Sequence, residues 1–506
     1  MHGIGGRSSV VDPALAWSAN LSVKVGGAGT VAHAGVVLPR LLGDRLGLTA
    51  DLSGVLARAG FIPGRDRGRA LVDAACALAA GATCLSDIEA MTRQVEIFGP
   101  DGGASDTTML RVLDELAGRL RGDGLPGRRL ARAIAGARSR AWTQIVARHG
   151  QLPSVKVAGT DLSRPTRAGE QCDQKLRPVL VVRLDATLIE AESNKSGAAG
   201  TYKGGYGFHP LTAWCTNVGD SLAVMLRPGN AGSFTASDHV LVLDAAIAQI
   251  PAEWRKDVLV TIDGAGASHE VIDHLSGLNT VATQGKRGRR VEYSIGWPVD
   301  ERTQGALAQL RERDWDTALG ADGNPDPDAA VVDLTGILRH GPNGDRMSTW
   351  PKDVRVIARR VPRPAGEQAK LGENPSWRYG AFATNTTSGQ IQWLDARHRT
   401  QAHVEDKIKE LKACGAENLP SIDWNRNSAW LHLAALATSL NAWLRHLALD
   451  GQLARAEPKA LRYRLLGAPA RHVTHARKKI LKIPPGWAFA NDVVNAWDRL
   501  QALHPA

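Results

Sequence analysis

Pro178-Val-Leu-Val-Val-Arg-Leu-Asp185 is a short apolar run that ends on a carboxylate, and Asp257-Val-Leu-Val-Thr-Ile-Asp263-Gly-Ala-Gly266 repeats the form further along the chain. Runs of this length rich in Val, Ile and Leu read as β-strands. A strand end suits a metal ligand, because the sheet fixes the Cα while the side chain faces an open rim. A third acid, Glu405, lies in His398-Arg-Thr-Gln-Ala-His-Val-Glu405-Asp-Lys-Ile-Lys-Glu-Leu-Lys412. There positions 398, 401, 405, 408 and 412 follow the 3-4 spacing of one helical face. Carboxylate oxygens suit hard cations, and two Mg²⁺ ions about 3.5–4 Å apart serve phosphodiester chemistry by activating an oxygen nucleophile and stabilising a departing 3′ oxyanion. Asp185, Asp263 and Glu405 are therefore the candidate catalytic and metal-binding residues.

Around these acids the texture of the chain changes several times. Residues 1–150 read as a mostly helical region, with Ala-rich segments at Arg69–Ala79 and Thr107–Leu116, the second entered through the capping string Gly-Ala-Ser-Asp106. Short helices joined by tight turns suit a DNA-binding helix-turn-helix module whose recognition helix opens at Ser105 to Arg111, and they suit an ordinary helical bundle equally well. β-rich runs at 178–191, 203–215 and 221–228 come next, then a helix at 237–248 and the strand at 257–263. A helix from Ser268 and a strand at Asn279–Thr283 follow. Three strands, helix, strand, helix, strand is the order of an RNase H-like α/β core, whose first part spans 151–285. Residues 286–376 carry Pro- and Gly-rich loops between β-like stretches at 291–296, 329–335 and 353–361, and read as a β-rich insertion. The strand Arg378–Thr384, the Glu405 helix and the apolar helix Ala429–Leu449 resume the core over 377–450, and 451–506 form a basic, helical C-terminal segment.

Composition narrows the class. A chain of 506 residues exceeds one typical core, and it has no run of 18 apolar residues that would favour a membrane span. The amino terminus lacks the apolar core of a secretory signal. Five cysteines without a C-x-x-C pair argue against a disulfide framework or a Cys-ligated zinc, and fit a reducing cytoplasm. The net charge of +11 favours a polyanionic partner. From Arg455 to Lys482 nine Lys and Arg, Arg477, Lys478 and Lys479 among them, stand against one acid, and Gln284 to Arg290 adds Lys286, Arg287, Arg289 and Arg290. Such clustering matches a groove that tracks DNA phosphates.

Further strings carry a family resemblance over roughly residues 20–485: Leu184-Asp-Ala-Thr187, Gly200-Thr-Tyr-Lys-Gly-Gly-Tyr-Gly-Phe-His209-Pro-Leu211, Leu226-Arg-Pro-Gly-Asn230, Ile262-Asp263-Gly, and Glu405-Asp-Lys-Ile-Lys-Glu-Leu-Lys412. In these the chain resembles the DDE transposases of bacterial insertion sequences, in the group whose catalytic Glu lies within a Tyr-x2-Arg-x3-Glu-x6-Lys signature. The resemblance implies that Asp185, Asp263 and Glu405 form a metal-binding triad for two Mg²⁺ ions, with Mn²⁺ as an alternative. It implies strand cleavage and strand transfer at terminal inverted repeats of double-stranded DNA, a hairpin excision route, a dimer in the synaptic complex, and a bacterial cytoplasmic setting on nucleoid DNA. Lys203, His209, Arg227, Asn230, His398, Arg399, Gln401 and Lys412 become candidate DNA contacts. Two positions depart from the signature: His398 stands where Tyr is usual, and Gln401 where Arg is usual. Gln cannot clamp a phosphate bidentately as Arg does. Neighbouring Arg399 points about 100° away on an ideal helix.

Other motifs carry less. Asp263-Gly-Ala-Gly266 lacks the third Gly of a dinucleotide turn, His269-Glu-Val-Ile-Asp273 lacks the second His of a zincin, and no phosphate-loop motif occurs. Of the fourteen Trp, most belong in the core; the resemblance to the transposases implies that Trp297 or Trp315 in the insertion is a candidate for stacking on a flipped DNA base. Two rival readings are an RNase H-like nuclease without strand transfer and a non-catalytic DNA-binding protein derived from a transposase.

Overall fold

The computed structural model describes residues 22 and 24–504, apart from 101, 166–175, 193, 233–234, 265–266, 281–287, 341–346 and 370–373. Nine strands build one mixed sheet: β1 (Leu180–Ala186), β2 (Leu211–Cys215), β3 (Asp220–Met225), β4 (Asp257–Ile262), β5 (Arg290–Trp297), β6 (Asp316–Leu319), β7 (Pro325–Asp333), β8 (Arg355–Pro362) and β9 (Trp377–Thr384). Their spatial order is β3-β2-β1-β4-β5-β9-β8-β7-β6. β1 runs antiparallel to β2 and parallel to β4, and β4 runs parallel to β5. The unbroken apolar run of β1 follows from burial on both faces. Leu180, Val182 and Leu184 face the main core, while Val181 joins Leu259 and Ala396 in a smaller one.

Helices cover the sheet. α1 (Val37–Arg45), α2 (Leu48–Leu56), α3 (Arg67–Ala80), α4 (Asp106–Ala117) and α5 (Arg128–His149) precede it in sequence. α6 (Ala236–Gln249), α7 (His269–Gly277), α8 (Ile391–Arg399), α9 (Val404–Leu411), α10 (Trp424–Ala448) and α11 (Ala490–Ala502) follow. The axis of the assembly is α10, whose Trp430 and Trp443 are fully buried. α1, α3, α4, α5 and α11 all pack on it, as does β3. The N-terminal helices thus gather around α10. The helix opening at Ser105 buries Met109, Val112, Leu113 and Leu116, and its first turn is acidic through Asp106.

One buried ion pair locks the bundle to the sheet. Arg138 of α5 lies 2.9 Å from Asp220 of β3, and both side chains are shut away from solvent. The same Asp220 oxygen accepts from Trp443 Nε1 of α10 at 2.9 Å and from Trp142 Nε1 of α5 at 3.4 Å. Arg138 also donates to Gln249 of α6.

Three expectations change. Residues 290–297 are not part of an insertion: β5 lies beside β4 in the middle of the sheet, because its residues from Val291 to Trp297 are all buried. Most of the strand expected at Asn279–Thr283 lies outside the described residues; Asn279 itself holds the Val291 amide through its side chain at 2.8 Å. The stretches expected as an insertion continue the same sheet as β6, β7 and β8, joined through β9. The C-terminal segment, expected helical, holds a hairpin of β10 (Ala470–His475) and β11 (Lys478–Lys482) before α11. Val473, Thr474 and Ile480 supply the β-branched residues that favour it. Among the described residues no single helix is long and apolar enough to cross a membrane.

Arg138→Ala would leave the Asp220 carboxylate buried without its cation. The expected loss is about 3–5 kcal/mol in urea unfolding, and a loss below about 1 kcal/mol would remove the lock from the description of the fold.

Candidate active site

β1 and β4 bring the first two acids together by register. Ile262 stands opposite Leu184 in the parallel ladder, so Asp263 and Asp185 leave the sheet at the same level, on strands about 4.8 Å apart. The Asp185 carbonyl accepts from Thr212 Oγ1 at 2.8 Å, and Thr212 accepts in turn from Trp214 Nε1 at 2.9 Å. The Asp185 carboxylate accepts from the Ala186 amide at 2.8 Å, and that of Asp263 from the Gly264 amide at 2.6 Å. Gly264 in turn lies on Gly296 of β5, where a Cβ would come within 2.3 Å of the Gly264 Cα. Only glycine at 296 lets β5 run this close beneath the Asp263 turn.

The charges of the three acids meet at Asp185. Burial pushes its pKa up to about 7, the Asp263 charge adds to the rise, and the Glu405 charge adds a further part; the Ala186 amide opposes them. Among the described residues none of the three carboxylates makes an ion pair, whereas most other acids near the sheet do. Uncompensated carboxylate oxygens at one rim fit a hard divalent cation. No group of three His, Cys, Asp or Glu among the described residues is gathered tightly enough to hold an ion by itself. Mg²⁺ sites often take only one or two protein carboxylates and fill the remaining positions with water and substrate phosphate.

The third acid arrives by a different route from the one expected. Residues 398–412 are not one regular helix: α8 ends at Arg399, a 3-10 turn spans Thr400–His403, and α9 begins at Val404 with Glu405 exposed in its first turn. Gln401, expected to face DNA, is buried instead. Its Nε2 donates to the Leu184 carbonyl at 3.0 Å, and its Oε1 accepts from Thr261 Oγ1. One amide therefore touches both acid-bearing strands, one residue before Asp185 and two before Asp263, one turn ahead of Glu405. Arg183 completes the cluster. It is fully buried and reaches Thr216 Oγ1 at 2.8 Å, Thr400 Oγ1 at 2.9 Å and Gln401 Oε1 at 3.5 Å. Burial without a carboxylate partner lowers its pKa to about 10. The signal was in plain view: an arginine in the middle of a buried strand must find polar company.

His398 also turns inward. Its ring stacks on Phe382 with centroids 4.4 Å apart, and Nδ1 shares a hydrogen bond with Ser294 Oγ at 3.0 Å. Burial lowers its pKa to about 4, against the pull of Asp263. It is therefore neutral near pH 7 and adds no cation for phosphate.

Several other residues expected to contact DNA serve the protein itself. Lys412 Nζ donates to the Leu188 carbonyl at 2.8 Å. Arg399 binds Asp395 at 3.0 Å and the Leu319 carbonyl. Arg227, buried, holds the His209 carbonyl at 2.9 Å, while the His209 ring meets the Ala231 carbonyl at 3.0 Å. The two glycine-rich strings thus buckle onto each other beside Asp185. Lys203 and Asn230 project outward from that buckle. Trp297 is buried against Trp350, and the Trp315 ring lies against both the Arg360 guanidinium and the Tyr379 ring. Arg289 is partly buried, and Arg290 pairs with the buried Glu292. Arg477, Lys478 and Lys479 are exposed on the hairpin, and Lys286 and Arg287 lie outside the described residues.

Two outcomes follow from this geometry. The folded state holds the Asp185 proton more tightly than the unfolded chain, so stability is full below about pH 4 and is lost as pH rises toward 7. Asp185→Asn should then raise stability at pH 8 by a few kcal/mol at most, with the gain vanishing at pH 4, as followed by thermal unfolding without divalent ions. Gln401→Ala should cost about 1–3 kcal/mol by leaving the Leu184 carbonyl and Thr261 unpartnered; an unchanged urea midpoint would show that the amide ties nothing.

Comparison with known proteins gives three findings. No curated protein matches the sequence. Among solved structures, the piggyBac transposase in a synaptic complex with hairpin DNA aligns with 9% identity and a TM-score of 0.40, covering 86% of this chain and 80% of that one. The family model for transposase DDE domain group 1 matches residues 15–505, and by that match over nearly its whole length the chain belongs to the DDE transposase family.

Proposed function

We propose that this transposase excises and inserts DNA by a cut-and-paste route from an RNase H-like core, with Asp185, Asp263 and Glu405 as its catalytic acids. The observation that carries the reading is the register that sets Asp185 and Asp263 at the same level of adjacent parallel strands, where burial first and then the charges of Asp263 and Glu405 raise the Asp185 pKa to about 7. The core assignment is supported by the spatial order β3-β2-β1-β4-β5, with β3, β2 and β1 antiparallel and β4 and β5 parallel to β1.

In this reading the three carboxylates, with water and substrate phosphate, would hold two Mg²⁺ ions, or Mn²⁺. Ions bound there would lower the cost of activating a water or a 3′-hydroxyl and of charge on the departing oxygen. Asp185 and Asp263 keep fixed positions because the strands beneath them cannot slide. Glu405 keeps its distance from them because Gln401, one turn earlier, is bonded to both strands. Hydrolysis of one strand frees a 3′-OH, whose attack on the opposite strand displaces the flanking 3′-hydroxyl and leaves a hairpin end; water then opens the hairpin and restores the 3′-OH, which attacks target DNA and displaces a 3′-hydroxyl there. Terminal inverted repeats are held by the N-terminal helical region and the basic C-terminal segment, and two copies bring two ends together.

Asp185→Asn and Glu405→Gln should each abolish Mg²⁺-dependent cleavage of end DNA, a loss of at least about 10³-fold, while gel-shift binding of the same DNA stays within about twofold of wild type. Cleavage persisting in either variant would remove that residue from the chemistry.

A further inference from the structure

The hairpin β10–β11 is anchored at its base, where Ala470 and Arg471 pair with Val31 and Thr30 and Leu481 packs against the core, while its turn end is exposed; that turn is costly to form. Its two loop residues, Ala476 and Arg477, have φ of 48° and 66°. A two-residue loop with both φ positive is the type I′ arrangement, for which Asn-Gly is the favoured pair. Neither residue here has glycine's freedom, and an arginine is held at the very tip. The register adds a second cost. Arg471 stands directly opposite Lys482, and Lys478 stands opposite His475 rather than an acid. Like charges placed across a strand pair destabilise it. Arg471, Arg477, Lys478 and Lys482 are all exposed, and no ion pair is formed by any of them among the described residues.

A strained turn and an uncompensated cation pair suit a partner that brings negative charge. From Arg471 to His475 the strand advances four residues, roughly 13 Å. The B-DNA major groove is about 12 Å wide and admits a two-stranded ribbon. We propose that β10–β11 is a DNA-binding ribbon that lies across the major groove of duplex DNA. Arg471 and Lys482 meet the phosphates of one wall, and Arg477 and Lys478 those of the other. This rests on the reading of the protein as a DNA transposase, and it adds the element, the groove and the contacting side chains. The apolar pair Val473–Ile480 lies between the two cation groups, which leaves the ribbon little with which to read bases; its grip is on the backbone and independent of sequence.

The test is a salt titration. Binding of the full chain to a fluorescent 40-bp duplex of arbitrary sequence would be followed by anisotropy between 50 and 300 mM NaCl, for wild type and for R471A/R477A/K478A/K482A, with circular dichroism to confirm the fold. Each lost phosphate contact lowers the slope of log K against log salt by about 0.9, so the quadruple variant should have a slope shallower by about 3–4. A second variant, A476N/R477G, relaxes the turn and removes one cation; its slope should fall by about one while its melting temperature holds or rises. Unchanged slopes in both variants would overturn the ribbon and leave the DNA transposase reading standing. A wild-type protein that binds no duplex at any salt would overturn both. Loss of binding to anionic phospholipid vesicles with unchanged duplex slopes would assign the hairpin to membranes and overturn it as well.

Discussion

The Asp220 carboxylate is the constraint on which the rest of the structure hangs. A charge taken fully out of water costs several kcal/mol unless it is matched closely, and here one oxygen gathers Arg138, Trp142 and Trp443 around it. These partners come from α5 and α10, while Asp220 itself belongs to β3. The pair thus admits few arrangements of the helical bundle against the sheet. β3 then fixes β2, β2 fixes β1, and β1 carries Asp185. At the far end of this ladder Gln401 closes the chain of constraint, joining β1, β4 and the turn that leads to Glu405.

The same chain of constraint gathers charge where the protein would be more stable without it. Burial, with the charges of Asp263 and Glu405 added to it, raises the cost of ionising Asp185, and among the described residues no cation of the protein pairs with the three acids to relieve it. Arg183 lies in the same cluster as Gln401, yet its guanidinium is taken up by hydroxyls and an amide instead of by the acids. A scaffold rigid enough to hold like charges together keeps that unfavourable energy until an ion or substrate arrives. Stability given up at a site for the sake of its chemistry is the usual trade.

Much of this was legible in the sequence, and the exceptions have physical causes. Asp185 and Asp263 could be read because a short Val- and Ile-rich run is a strong strand signal in itself, and an acid at its end falls where the sheet meets solvent. Glu405 could be placed on a helix, but the face it shares with residues 398 and 401 could not be drawn correctly. Local spacing does not reveal a 3-10 turn at Thr400–His403, and that turn swings Gln401 and His398 toward the sheet. β5 was hidden because the sheet position of Arg290–Trp297 depends on a parallel ladder with β4, a contact between residues more than thirty apart. The C-terminal hairpin was hidden by its charge: with cations at both ends of each strand, the alternation that marks a strand is faint. Some of the long polar side chains expected to reach for DNA, Lys412 and Arg227 among them, reach instead for carbonyls of their own chain.

The central place of α10 has a consequence for how the protein is made. Helices α1, α3, α4 and α5 bury apolar faces against a helix that begins at Trp424. During synthesis those faces emerge first and wait for more than half the chain before their partner exists. Contacts so distant in sequence form slowly and leave apolar surface open in the interval. A ribosome stalled before residue 424 would therefore hold a sticky, unfinished bundle, and chaperones that shield nascent chains should matter more to the yield of this protein than to one whose helices pack on near neighbours.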